Sequence, residues 1–200
     1  MLSDVLQKLV GDASATRDLG PGEFLFRQGD RAEHVFALIE GRVRLTRYLS
    51  NGKTVCMHVA RAGQTFAEGA VISDVYHCNA VADAKSRVRM YKKRHILDAI
   101  SRDSSFALEY IAALSREVQR LRTQLELHNI QSARERILQF FLLESRAGSS
   151  EVHIDGSFKE LASDLGLAHE TFYRELARLQ DDHIISRQDK VIRLHKLPPV

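Results

Sequence analysis

The residues best equipped for chemistry lie in one short run, "HETFYRELAR", residues 169–178. His169, Glu170, Thr171, Tyr173, Arg174 and Arg178 alternate there with Phe172 and Leu176, and the apolar spacing continues to Leu179. On an α-helix the apolar set takes one face and the polar set the other. The polar set suits the major groove of DNA. A carboxylate accepts from the cytosine amino group, an arginine makes a two-pronged contact to guanine, and a threonine methyl meets thymine. Glu170 and Arg174 also stand four apart, the spacing of an ordinary surface ion pair. Taken alone, the run leaves both readings open.

The elements around it favour the first. Ser157-Phe-Lys-Glu160 is a capping box that starts a helix and turns Leu161 and Leu165 inward. Gly166 permits the left-handed backbone of a sharp turn, and Ala162 is small where two helices cross closely. Two helices joined this way form a helix-turn-helix. The following "HIISRQDKVIRLHK" reads as a hairpin bearing Arg187, Lys190 and Arg193, a wing suited to phosphates. Upstream, Ser132-x-x-Glu135 is another capping box, opening a helix with Ile137, Leu138, Phe141 and Leu142 as its apolar face; "RAGSSE", residues 146–151, ends it.

Before that domain, Ile111, Leu114, Val118, Leu121, Leu125 and His128 recur at spacings of three and four, with Arg116, Glu117, Arg120, Arg122 and Glu126 alongside. That is the a/d seam of a coiled coil, and it predicts a homodimer with His128 at the partly exposed end of the interface. Residues 19–92 instead combine β-branched and aromatic residues with polar alternation. Turn signals at Pro21-Gly22, Gly29-Asp30, Glu40-Gly41 and Asn51-Gly52 divide them into short strands, the pattern of a sandwich or barrel. The organisation predicted is α+β: an effector-type β domain over 1–93, a dimerisation helix over 94–131 and a winged helix-turn-helix over 132–200.

The 200 residues carry a net charge of +3, unevenly spread. From Lys85 to Arg136 there are 12 Lys/Arg against 6 Asp/Glu; from Glu151 to Lys196 there are 7 against 9. The C-terminal domain therefore has to grip DNA with a few placed cations rather than a general positive field. No apolar run approaches the roughly 18 residues of a membrane span. "MLSDVLQKLV" lacks the basic start and apolar stretch of a signal peptide, and two cysteines make no disulfide framework. A cytoplasmic protein is expected.

Two further pairs are candidates for sensing. Cys56 and His58 alternate to one face of a strand, and His77 and Cys78 are adjacent. His58, His77, Cys78 and the more distant His128 are the side chains that could ligate haem iron or a metal, against the plain alternative of packing. An iron–sulfur cluster is not expected, because it needs four protein ligands. A cupin-like metal enzyme would need clustered His and Glu, and the chain has no H-x-H pair. A ligand-binding module with a merely protein-binding helical tail is the remaining alternative.

As a whole, Leu19 to Leu194 resembles the CRP/FNR superfamily of dimeric bacterial transcription regulators. "LGPGEFLFRQGD", "VFALIEGRVRL", "NGKTV" and "AGQTFAEGAV" are similar to its cyclic-nucleotide-binding-type β-roll, a jelly roll. "NIQSARERILQFFL" resembles its hinge and following helix, and "HETFYR" its recognition-helix signature. The resemblance implies that Glu170 and Arg174 read the TGA core of a palindromic half-site, that the long helix carries effector signals, and that the dimer contacts RNA polymerase. The stretch "LSREVQRLRTQLELHNIQSARERI" looks more like the oxygen- and nitric-oxide-responsive branch than the cAMP branch. Departures matter too. His169 stands where cAMP-responsive members have Arg, Tyr173 where Gly or Ser is usual, and Glu175 where an aliphatic residue is common. In the effector region Glu68 remains as a ribose acceptor, but Ala67 replaces Gly, and Cys78 and Asn79 replace the phosphate-binding Arg and Ser/Thr. Glu68, Cys78 and Asn79 thus mark the effector position, and cAMP is not the expected effector.

Overall fold

A computed structural model describes residues 1–9, 14–145, 149–154 and 156–195. The helix stop read in "RAGSSE" falls partly on residues 146–148, and Lys196 closes the wing segment; both lie outside the described residues. The chain divides into two units, Met1–Arg116 and Glu117–Val200.

The first unit opens with a short helix α1 (Leu2–Leu6). Eight strands follow: β1 (Ser14–Leu19), β2 (Phe24–Phe26), β3 (His34–Glu40), β4 (Arg42–Tyr48), β5 (Thr54–Arg61), β6 (Thr65–Phe66), β7 (Asn79–Ala82) and β8 (Ser86–Lys92). They form two four-stranded antiparallel sheets, ordered β1-β8-β3-β6 and β2-β7-β4-β5. The alternating apolar positions point into one core, where the rings of Phe26, Phe36, Phe66 and Tyr76 lie against one another. The hairpin signalled by Asn51-Gly52 joins β4 to β5, with Gly52 at φ +78°. Gly41, between β3 and β4, has φ +91°, and a Cβ there would lie 2.4 Å from the Lys85 carbonyl oxygen, so only glycine fits.

The helical region read from about Arg94 holds two helices, α2 (Lys93–Arg102) and α3 (Ser104–Asn129). Asp103 separates them: its backbone is extended, and its Oδ1 accepts from the amides of Ser105 and Phe106 at 2.9 and 3.1 Å. That is an N-cap, and it satisfies two of the free amides that open α3.

The second unit holds the end of α3, then α4 (Ala133–Glu144), β9 (Glu151–His153), α5 (Phe158–Asp164), α6 (His169–Asp181), β10 (Ile185–Gln188) and β11 (Val191–Leu194). Ser132 Oγ caps α4 by accepting from Glu135 N at 3.3 Å. At α5 the box is complete: Glu160 N donates to Ser157 Oγ, and Ser157 N donates back to Glu160 Oε2 at 2.8 Å. The last strands pair antiparallel in the order β10-β11-β9. Ile137, Phe141, Ala162, Leu165, Phe172, Leu176, Leu179 and Ile192 are almost wholly buried and make the core of this unit.

Candidate nucleic-acid interface

Helix α6 separates its residues by face. Phe172, Leu176 and Leu179 are buried, while Glu170, Tyr173, Arg174 and Arg178 are exposed and His169 and Thr171 half-buried. Glu170 lies in the first turn, where a carboxylate is favoured by the helix dipole. Among the described residues no ion pair joins Glu170 to Arg174, although the spacing allows one. Arg174 Nε instead lies 3.5 Å from Glu175 Oε1, and Arg178 Nη1 donates to the same oxygen at 2.8 Å. Glu170 is thus left facing outward. Phe172 fills the corner between α5 and α6, with its ring 6.3 Å from that of Phe158.

The turn that aims α6 is fixed from two sides. Gly166 is left-handed at φ +64°, and Leu167 N closes the turn onto the Ala162 carbonyl at 2.9 Å. The last carbonyls of α5 are taken by residues from further back. His128 Nε2 donates to the Asp164 carbonyl at 2.9 Å, and Arg136 Nη1 donates to the Leu165 carbonyl at 2.8 Å. Arg136 also donates from Nε and Nη2 to the Ile130 carbonyl at 2.9 and 2.6 Å. One guanidinium therefore bridges the link between α3 and α4 to the turn before α6. His128, read from the sequence as the end of a seam, spends its ring nitrogen on this turn. On the wing, Lys190 is exposed at the β10–β11 turn, Arg187 lies over the Phe158 ring at 5.4 Å, and Arg193 is paired with Glu151.

Along α3, Ile111, Val118, Leu121 and Leu125 are exposed, Leu125 by 64%. Leu114 packs against the β core of the first unit, and Leu127, which the seam reading passed over, is buried in the core of the second. The exposed apolar stripe also takes in Leu108.

In the β unit one of the residues expected at an effector, Asn79, is taken up by the fold. Asn79 is 2% exposed; its Oδ1 accepts from Gln28 N at 3.0 Å and its Nδ2 donates to the Thr46 carbonyl at 3.4 Å. The Cys78 thiol is half-buried and pushed up by that burial, with the Arg47 charge pulling it back. Arg47 reaches this place from β4 and donates its Nε to the His77 carbonyl at 3.0 Å; sequence reading had set no arginine here. Ala67 takes the left-handed conformation, φ +61° and ψ +33°, ahead of a 3-10 turn over Glu68–Val71. Near Glu68, the Tyr110 hydroxyl is buried without a partner among the described residues, and burial, with the Glu68 charge second, pushes its pKa up to about 12. A cleft of about 530 Å³ lined by Arg31, His34, Asp74, Lys92 and Arg94 lies elsewhere; none of Glu68, Cys78 and Asn79 lines it.

The candidate metal ligands are not brought together among the described residues. His58 and Cys56 lie on β5, while Asn79, next to Cys78, begins β7 on the other side of β4. Two strand spacings, roughly 9.5 Å, separate the backbones of β5 and β7. His77 Nε2 lies 3.0 Å from Ser73 Oγ. Among the described residues no group of three or more His, Cys, Asp or Glu is placed to hold a metal ion.

A two-helix corner with a buried inner face, a polar outer face and a β wing defines a winged helix-turn-helix, here following a double-sheet β domain. Comparison with known proteins matches both parts. Residues 16–103 fit the model of the cyclic nucleotide-binding domain, and residues 135–198 that of the Crp-like helix-turn-helix domain. The nitrogen fixation regulation protein FixK of Rhizobium meliloti (strain 1021) is 25% identical over 171 residues, covering 84% of this chain and 77% of that protein. The cAMP-activated global transcriptional regulator CRP of Pasteurella multocida (strain Pm70) is 27% identical over 177 residues, covering 84% of each. The structure of FixK2 from Bradyrhizobium japonicum superposes with a TM-score of 0.60 at 22% identity, covering 92% of this chain and 93% of that one. The chain belongs to the CRP/FNR family, whose members are DNA-binding transcription regulators and not enzymes. Among the described residues no helix is long and apolar enough to cross a membrane.

Proposed function

We propose that the protein is a homodimeric, sequence-specific transcription regulator of the cytoplasm, and that α6 is its recognition helix. The observation that carries this is the separation on α6: Glu170 and Arg174 face outward, unpaired with each other, above a wholly buried apolar face. Glu170 accepts from cytosine and Arg174 meets guanine in a TGA-like core. His169, Thr171 and Tyr173 contact flanking positions, while Arg178 and Lys190 take phosphates. Two copies pair along Ile111, Val118, Leu121 and Leu125, with Leu114 and His128 at the margins of the stripe. That pairing sets two half-sites about one DNA turn apart, about 34–36 Å.

In this reading residues 1–93 are a sensory domain, 94–131 a dimerisation segment and 132–200 the DNA-binding domain. The sensory domain does not respond to cAMP. A phosphate needs donors, and here the Asn79 amide is spent on Gln28 and Thr46, position 78 carries a thiol, and the Arg47 guanidinium beside it has its Nε on the His77 carbonyl. Signals pass along α3 to the hydrogen bonds that His128 and Arg136 make to the α5–α6 turn, and the bound dimer meets RNA polymerase.

The test is selection of sites from a random duplex pool by the full chain, with sedimentation of the free protein. Palindromic sites and a dimer are the expected result. Leu125→Glu yields a monomer that no longer selects paired half-sites. A wild-type monomer, or a pool with no enriched sequence, contradicts the reading.

A further inference from the structure

Among the described residues Glu175 is the charged side chain that is buried, at 8% exposure, in the α6 row that otherwise carries Phe172, Leu176 and Leu179. A buried carboxylate is costly unless it is paired, and a well-packed apolar residue commonly serves as well or better there. Its charge therefore has an effect that packing does not supply. The two groups paired with it, at 2.8 Å through Arg178 Nη1 and 3.5 Å through Arg174 Nε, are the two arginines of the outward face. Their side chains keep 60% and 56% exposure: the carboxylate holds Arg178 by one terminal nitrogen and Arg174 by Nε, which leaves both Nη groups of Arg174 in solvent.

We propose that Glu175 is a specificity-determining positioning residue for DNA reading, a step that rests on α6 being the recognition helix. With Nε of Arg174 turned to Glu175, the two Nη groups remain as an end-on pair for the guanine O6 and N7 acceptors. The guanidinium is oriented before DNA arrives, so less side-chain freedom is lost on binding the correct base. Arg178, held through Nη1, meets the phosphates with part of its charge already answered by Glu175. The carboxylate itself repels the DNA backbone. Glu175 thus lowers binding to any duplex and raises discrimination among duplexes, which is specificity obtained by penalising the wrong contact.

The experiment uses the full chain, the duplex it enriches from a random pool, single-base variants of that duplex and an unrelated duplex, each titrated across salt. Glu175→Leu fits the apolar row and folds. It is expected to bind unrelated DNA about threefold to tenfold more tightly and to lose about tenfold of its discrimination at the guanine position. Its salt slope steepens, by at most about one, as the whole charge of Arg178 turns to the phosphates. Glu175→Gln keeps the acceptor oxygen without the charge, so it retains most of the discrimination while its salt slope steepens. If Glu175→Leu leaves discrimination and slope at wild-type values, Glu175 merely packs and the proposal falls. Arg174→Ala separates that outcome from a failure of the underlying reading. If discrimination survives Arg174→Ala as well, α6 is not reading the site; a pool that enriches nothing overturns both.

Discussion

Helix α6 and strand β7 were both marked as functional, and they lie in opposite circumstances. On α6 the core takes Phe172, Leu176 and Leu179, and the polar side chains Glu170, Tyr173 and Arg174 are left to solvent. On β7 the marked polar residue, Asn79, is itself the core: its amide ties β7 to β4 and to the Gln28 turn. A surface that reads a large partner is built from residues the fold does not need, so the two demands fall on different faces. An interior pocket shares its residues with the fold, and a side chain taken by the fold is withdrawn from the ligand. In the β domain Asn79, expected from the sequence at an effector position, serves the packing of the fold.

Several substitutions would sharpen or break that contrast. The largest effect belongs to the frame itself: Gly41→Ala meets the Lys85 carbonyl and Ser86 at a left-handed position and is expected to cost about 3 kcal/mol or more, seen in urea unfolding. Next comes Arg174→Ala, which should weaken specific DNA binding by about 1–3 kcal/mol and leave thermal stability unchanged. Asn79→Ala should do the reverse. It strands the Gln28 amide and the Thr46 carbonyl, so a loss of about 2 kcal/mol in stability is expected, with DNA affinity of the folded fraction preserved. A variant that kept full stability would show that Asn79 is not spent on the fold.

Smaller effects come from the strained edge of the same region. Tyr110→Phe removes a buried hydroxyl with no partner and is expected to stabilise by about 1 kcal/mol. The sign with pH follows from the raised pKa. The folded state keeps the Tyr110 proton to about 12, whereas the unfolded chain releases it near the ordinary value of 10.0. Stability from this group is therefore fully present below 10 and lost as pH rises towards 12, and Tyr110→Phe should flatten that alkaline decline in thermal unfolding. Ala67→Gly relieves an alanine at φ +61° and should gain about 0.5–1 kcal/mol. A loss there would mean that the left-handed turn is held by something other than local sterics.

How much of this could be read in the sequence follows from how local each cause is. The two capping boxes, Gly166 and the apolar rows of α4 to α6 are set by neighbours within four residues, and they stand where the sequence places them. Strand β1, with its largely exposed "SATRDL", gives no alternation; it exists because its backbone pairs with β8, seventy residues away in sequence. Strand β9 has three residues and is fixed by its partner β11. The break at Asp103 is a single cap inside a helical pattern. Arg47 beside Cys78 and His128 on the α5–α6 turn come from distant segments, so spacing gave no sign of either. Glu175 was visible as a departure from the family, but its two arginines made sense of it only once the helix was folded.

The central claim, that α6 reads bases while the wing holds the backbone, is tested most directly by comparing Arg174→Ala with Lys190→Ala on a selected duplex and all its single-base variants. Arg174→Ala is expected to flatten the preference at one base pair per half-site, by about 1–3 kcal/mol, and to leave the others intact. Lys190→Ala should weaken every duplex equally and reduce the salt slope by about one. An Arg174→Ala protein that weakens all duplexes alike, with its base preferences unchanged, would contradict the account.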